Sequence, residues 1–167
     1  MSKTEENLKA AFAGESQANR KYLAFAKKAD EEGHKGAAKL FRAAAAAETV
    51  HAHNHLGVLG GIKSTLENLK EAYGGEHYEF STMYPEFLAK SKEEKVGKAT
   101  TSFHWANEVE KVHGELYDKA IKAMEAGKEV PAIDYYVCDK CGYTAEGAAP
   151  DKCPVCGAKK EAFFLVD

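Results

Sequence analysis

Two ExxH pairs, Glu48/His51 and Glu110/His113, stand 62 residues apart in the chain. Three-residue spacing places both members of a pair on one side of a helix, one turn apart. A lone glutamate precedes each pair, Glu15 and Glu76, and each closes a repeated segment: residues 6–15 and 67–76 agree at seven of ten positions. One ExxH motif by itself says little, because glutamate is commonest on solvated helix faces. Two of them with two matched glutamates in a duplicated frame are another matter. One Glu from each of two helices and an ExxH from each of two others is the set with which a helical bundle holds two iron or manganese ions. Carboxylate and imidazole donors suit those metals better than thiophilic ones, and the chemistry they support is redox.

A fifth carboxylate, Glu79, follows Glu76 by three residues. It exceeds the four-glutamate, two-histidine template, and five carboxylates nearly balance the charge of two ferrous ions. A metal offered both Glu79 and His51 has an anionic ligand for its ferric state and a neutral one for its ferrous state, so the ligand can change with redox state. Tyr22 lies seven residues beyond Glu15, two turns along nearly the same face, and Tyr84 takes the matching place in the second half. Each reads either as a core tyrosine with a satisfied hydroxyl or as a donor to a ligating carboxylate. His34, His53, His55, His77 and His104 have no paired motif and are not counted as ligands.

Four helices are expected to position these groups. Apolar periodicity predicts helices over residues 4–32, 35–59, 64–92 and 96–125, punctuated by Gly33, Gly60-Gly61 and Gly127. Ser64 with Glu67 three residues on is a capping box. The alanine run Ala43 to Ala47 precedes Glu48, and its small side chains are expected to let neighbouring helices approach closely. The repeat is not uniform. Glu15 maps to Glu76 at an offset of 61, whereas Tyr22, Phe25, Glu48 and His51 map to Tyr84, Phe87, Glu110 and His113 at 62. One residue has therefore been added between Glu76 and Tyr84, within a single helix, and a π-bulge beside Glu79 is the expected way to absorb it.

Beyond the helices the spacing changes character. Residues 1–128 are read as the helical domain, 129–134 as a linker and 135–167 as a small module whose four cysteines form two knuckles, Cys138/Cys141 and Cys153/Cys156, in the pattern CxxC-x11-CxxC. Four thiolates bind iron or zinc. A structural zinc ribbon is the plainer reading; the aromatic setting of Tyr135, Tyr136, Tyr143, Phe163 and Phe164 and the neighbouring two-metal motif favour an iron that carries single electrons. A net charge of −3 gives no basic footprint for nucleic acid or an anionic membrane. The polar, acidic start and the lack of a long apolar run lead us to expect a cytoplasmic protein, in which paired cysteines hold metal rather than form disulfides.

Taken together, the segment from Ala11 to Ser16, the two ExxH pairs, Gly75-Glu76-x-x-Glu79 leading into Met83-Tyr84-Pro85, and the C-terminal YVCxxCGY…CPVCGA module resemble the rubrerythrins over nearly the whole chain. The resemblance implies an all-α, ferritin-like four-helix bundle with a small C-terminal rubredoxin-like module. It implies that Glu48 and Glu110 bridge two irons, that Glu15 and Glu79 bind one, with His51 replacing Glu79 on reduction, and that Glu76 and His113 bind the other. Cys138, Cys141, Cys153 and Cys156 would hold a third iron. Such proteins reduce hydrogen peroxide to water with electrons from NAD(P)H through a separate reductase, often with rubredoxin. They form homodimers, some with exchanged helices, in which one subunit's thiolate-bound iron faces the other's di-iron site. Glu76, Glu79, Tyr22 and Tyr84 are the candidates for proton handling. The rival reading is a ferritin-like iron-binding or ferroxidase protein with a structural zinc ribbon.

Overall fold

A computed structural model describes residues 2–166, which divide into two compact units, residues 2–63 and 64–166. The fold class is the expected one: long helices followed by a small strand region bearing four cysteines. No helix among the described residues is long and apolar enough to cross a membrane.

The first unit is a helical hairpin. Helix α1 (Lys3–Glu31) starts at Ser2, whose hydroxyl accepts from the Glu5 amide, and carries Glu5 and Glu6 in its first turn, where the helix dipole favours negative charge. Gly33 reverses the chain at φ +81°, and the His34 amide donates back to the Ala29 carbonyl. Helix α2 (Lys35–Val58) follows. The seam between the helices is made of alanines, Ala26, Ala29, Ala38, Ala45 and Ala52, all buried. Side chains this small bring the backbones close enough for Asn19 Nδ2 on α1 to reach the Ala45 carbonyl on α2 at 2.7 Å. The run from Ala43 to Ala47 is only partly used in this way: Ala45 is buried, while Ala43, Ala46 and Ala47 are exposed in the chain.

In the second unit α3 (Thr65–Tyr78) opens with the capping box, the Ser64 hydroxyl accepting from the Glu67 amide and the Glu67 carboxylate accepting from the Ser64 amide. A π-helical turn then spans Glu79–Met83 and runs into α4 (Tyr84–Glu93). The Tyr84 amide donates to the Glu79 carbonyl, five residues back. The added residue is thus taken up where the change of offset located it. Lys95 adopts φ +59°, the position that Gly33 holds in the first unit, and the Val96 amide donates to the Ser91 carbonyl. Helix α5 (Gly97–Glu125) completes the helical part. The ring of Phe80, in the π turn, lies so close to Gly114 that a Cβ there would be 3.1 Å from it.

The two units repeat one another in detail. Tyr22, Phe25 and Phe41 have ring centroids 6.4, 6.3 and 5.6 Å apart, and Tyr84, Phe87 and Phe103 have them 6.2, 6.3 and 5.5 Å apart. The same sequence frame therefore makes the same aromatic corner twice.

The cysteine module is a three-stranded antiparallel sheet of order β2-β1-β3, with β1 Tyr135–Cys138, β2 Thr144–Glu146 and β3 Phe163–Val166. Tyr136 pairs with Ala145 on one side and Leu165 on the other. Its core is small: Cys138, Cys153 and Ala158 are buried, with Tyr143, Val155 and Phe163 packed around them. So few apolar groups hold a fold of this size poorly without a metal among the sulfurs.

Candidate metal centres

Within the first unit, helix periodicity on α1 and α2 brings Glu15, Glu48 and His51 together; within the second, α3 and α5 bring Glu76, Glu110 and His113 together. In each triad one ligand atom per residue lies within 4.8 Å of the others. The two triads are counterparts under the repeat, and in both the histidine Nδ1 stands 2.8 Å from the carboxylate of its own ExxH pair. Glu79 belongs to neither triad. It sits at the start of the π turn, and its carboxyl is pushed up by burial and by the charge of Glu110, with His113 opposing.

Two acids crowded with no cation between them must share a proton. Burial and a hydrogen bond with Glu110, together with the charges of Glu110 and Glu79, push the Glu76 carboxyl up to about 7, against the pull of His113. The bond to Glu110 holds His113 above the usual histidine range, against the opposing effect of burial. A divalent metal ion held by Glu76, Glu110 and His113 would meet the same needs by replacing the shared proton. Tyr84 faces these acids, its hydroxyl pushed up by burial and by the charges of Glu79, Glu110 and Glu76. Tyr22 is half-buried in its aromatic corner beside Phe25 and Phe41.

Three residues near the second triad escape a sequence reading. Tyr117 is pushed up by burial and by Glu76 and Glu110; its place seven residues after Glu110 was the available signal. Asn107 is buried, donates through Nδ2 to Glu108, and leaves Oδ1 without a hydrogen-bond partner among the described residues. Thr144, in the cysteine module, reaches His113 Nε2 at 3.0 Å. No local pattern announces that contact.

The four cysteines are unpaired and converge. Sγ atoms of Cys138 and Cys156 are 3.7 Å apart, and those of Cys141 and Cys153 are 3.5 Å apart. Thiolates ~2.3 Å from a common metal in a tetrahedron lie ~3.8 Å apart, so the site is formed to that size. Gly142 at φ +85° and Gly157 at φ +73° turn the chain after the second cysteine of each knuckle. Amides then point at sulfur: that of Tyr143 at Cys141, those of Val155 and Cys156 at Cys153, and that of Ala158 at Cys156. At Cys153 burial acts upward, yet the amides of Cys156 and Val155 prevail and lower the thiol's pKa. N–H groups aimed at thiolates are one way a protein sets the potential of an iron-sulfur centre.

With both ligand sets in place, the comparisons with known proteins decide the family. The rubrerythrin family model matches residues 6–121, and that of the rubrerythrin rubredoxin-like domain matches residues 136–164. The chain belongs to the rubrerythrin family. It is 39% identical to nigerythrin of Nitratidesulfovibrio vulgaris, covering 96% of this chain and 85% of that one. To Rubrerythrin-2 of Clostridium acetobutylicum it is 32% identical, covering 96% and 95%. Among solved structures, nigerythrin in its partially reduced state aligns with a TM-score of 0.58 at 37% identity, over 99% of this chain and 88% of that one. Rubrerythrins have a carboxylate-bridged di-iron site and a four-cysteine iron site, and this chain has the donor groups for both. It is, at the level of its family, an iron-dependent oxidoreductase.

Proposed function

We propose that the chain is a non-haem di-iron peroxidase that reduces hydrogen peroxide to water, with electrons delivered through its four-cysteine iron. The observation that carries this reading is a pair of matched carboxylate-histidine triads, one of them hydrogen-bonded to a four-thiolate module. In this reading Glu15, Glu48, Glu76, Glu79, Glu110 and His113 would hold two irons. His51 would take the place of Glu79 in the reduced state; its side chain is 54% exposed, against 27% for His113, and its ring makes no hydrogen bond beyond that with Glu48 among the described residues. Bound in this way, the irons supply Lewis acidity and the electrons that cleave the O–O bond.

The chain's own part is to manage protons. A ligand carboxylate, Glu76 or Glu79, would relay a proton to a departing oxygen. Tyr84 keeps its phenolic proton and can steady the carboxylates as a donor, and Tyr22 takes the equivalent part in the other half. Electrons come from an NAD(P)H-linked reductase or rubredoxin in the cytoplasm. The protein is a homodimer.

The test is a single-turnover measurement. In the reduced, fully iron-loaded protein, one equivalent of peroxide should be consumed at once and the visible absorption of the ferric four-thiolate site should return afterwards. In Cys156→Ser that absorption is lost and re-reduction slows, while the first turnover survives. Loss of the first turnover in folded, di-iron-loaded Cys156→Ser protein would contradict the relay.

A further inference from the structure

The cysteine module lies on the α5 of its own chain. Gly142 rests against Val109, where a Cβ would be 3.7 Å from Val109 Cγ1, and Lys119 pairs with Glu146 at 2.7 Å. Between these two contacts, Thr144 Oγ1 stands 3.0 Å from His113 Nε2 and 3.2 Å from the Gly142 carbonyl oxygen. A carbonyl can only accept, and a threonine hydroxyl has one proton to give. With that proton directed to Gly142, the hydroxyl must accept from His113, so Nε2 carries a hydrogen. A neutral imidazole protonated at Nε2 has its lone pair on Nδ1, the nitrogen that faces Glu110 and the triad. Among the described residues His51 has no such partner, its ring making no hydrogen bond beyond that with Glu48.

We infer that Thr144 is a positioning residue for the di-metal site. From within the cysteine module it fixes the tautomer and orientation of His113, and through the Gly142 carbonyl it couples that ligand to the knuckle holding Cys141. The two ExxH histidines consequently differ: His113 is held by the cysteine module of its own chain, and His51 has no counterpart of Thr144 among the described residues. The inference rests on His113 being a metal ligand, as in the reading above, and adds a residue that the ligand pattern does not include.

Its test is spectroscopic and thermodynamic. In full-length protein with iron at the four cysteines and Co(II) at the carboxylate-histidine site, the proton NMR spectrum should show a paramagnetically shifted, slowly exchanging His113 Nε2–H in contact with the Thr144 methyl. In Thr144→Val that proton exchanges rapidly, and Co(II) binds about 10- to 100-fold more weakly, the usual loss when a ligand's outer partner is removed. Thr144→Ser retains a hydroxyl and should stay near wild type. Lys119→Ala loosens the module without touching His113, and should also leave Co(II) affinity near wild type. Absence of the protected proton from the wild-type protein overturns the inference whatever the variants do. So does a Thr144→Val affinity within about twofold of wild type, or an equal loss in Lys119→Ala. If wild type binds no Co(II) at this site, the metal-site reading falls with it; unchanged binding in Thr144→Val overturns this inference alone.

Discussion

The raised carboxyl of Glu76 gives the protein lacking metal at the carboxylate-histidine site a pH dependence whose sign is opposite to that of an ordinary salt-bridged acid. In the folded chain its pKa is about 7, against 4.5 for the free group. Between those values the folded state holds a proton that the unfolded state has released, so stability is greatest below about pH 4.5 and declines as the pH rises through about 7. Raising the carboxyl from 4.5 to about 7, at ~1.36 kcal/mol for each step of one in pKa, sets an upper limit of ~3.4 kcal/mol. Glu76 is only partly shielded from water, and screening reduces the expected loss to about 1–2 kcal/mol. His113, also raised, contributes in the same direction: its stabilisation is present below about 6.5 and fades as the pH passes its higher folded value. The assay is urea unfolding, at intervals from pH 5 to pH 8, of protein with metal at the four cysteines and none at the carboxylate-histidine site, with Glu76→Gln alongside. Glutamine cannot titrate, so the variant should show a flatter profile. Ferrous or cobaltous ion should reverse the trend, because binding displaces these protons and tightens as the pH rises. A wild-type midpoint that climbs between pH 5.5 and pH 7.5 without metal at that site, or a Glu76→Gln profile parallel to it, would refute the reasoning.

Three further outcomes are expected. Glu48→Ala and Glu110→Ala each remove a triad member from a different unit, and each variant alone should be inactive. Co-expressed, they should recover about a quarter of wild-type peroxide turnover if each site combines units from two copies, since random pairing makes half the dimers mixed and each mixed dimer has one intact site; no recovery in dimers shown by mass spectrometry to be mixed would mean that each chain completes its own site. Gly33, at φ +81° in open space, should lose about 1 kcal/mol on change to alanine, read as a lower urea midpoint. Lys95→Gly should instead be neutral or stabilising by up to about 1 kcal/mol, because the lysine already bears the strain of φ +59°; a clear loss would mean that its side chain does more than turn the chain.

What could be read from the sequence was what is local or repeated. Ser64 and Glu67 cap the helix they adjoin, the glycines after Cys141 and Cys156 turn the knuckles, and the change of offset between Glu76 and Tyr84 located the π turn because every residue around it had a counterpart to be counted against. The ExxH pairs were legible for the same reason: three residues of helix fix the relation of Glu48 to His51 without help from the rest of the fold. What depends on distant packing was not legible. Thr144 meets His113 across 31 positions only because β2 docks on α5. Lys95 occupies a backbone position that propensity assigns to glycine, although its alignment with Gly33 was available. The alanine run reads as one tight seam, yet α2 turns only Ala45 fully into α1.

An inserted residue inside a helix ordinarily swings everything beyond it by ~100°, and few such insertions can persist. Here the surplus peptide is confined to one wide turn, and Tyr84, Phe87 and Phe103 still form the corner that their counterparts form in the other half. Duplication alone would have given both halves one spacing; the single additional amino acid beside Glu79 breaks that register locally and spares the scaffold beyond it.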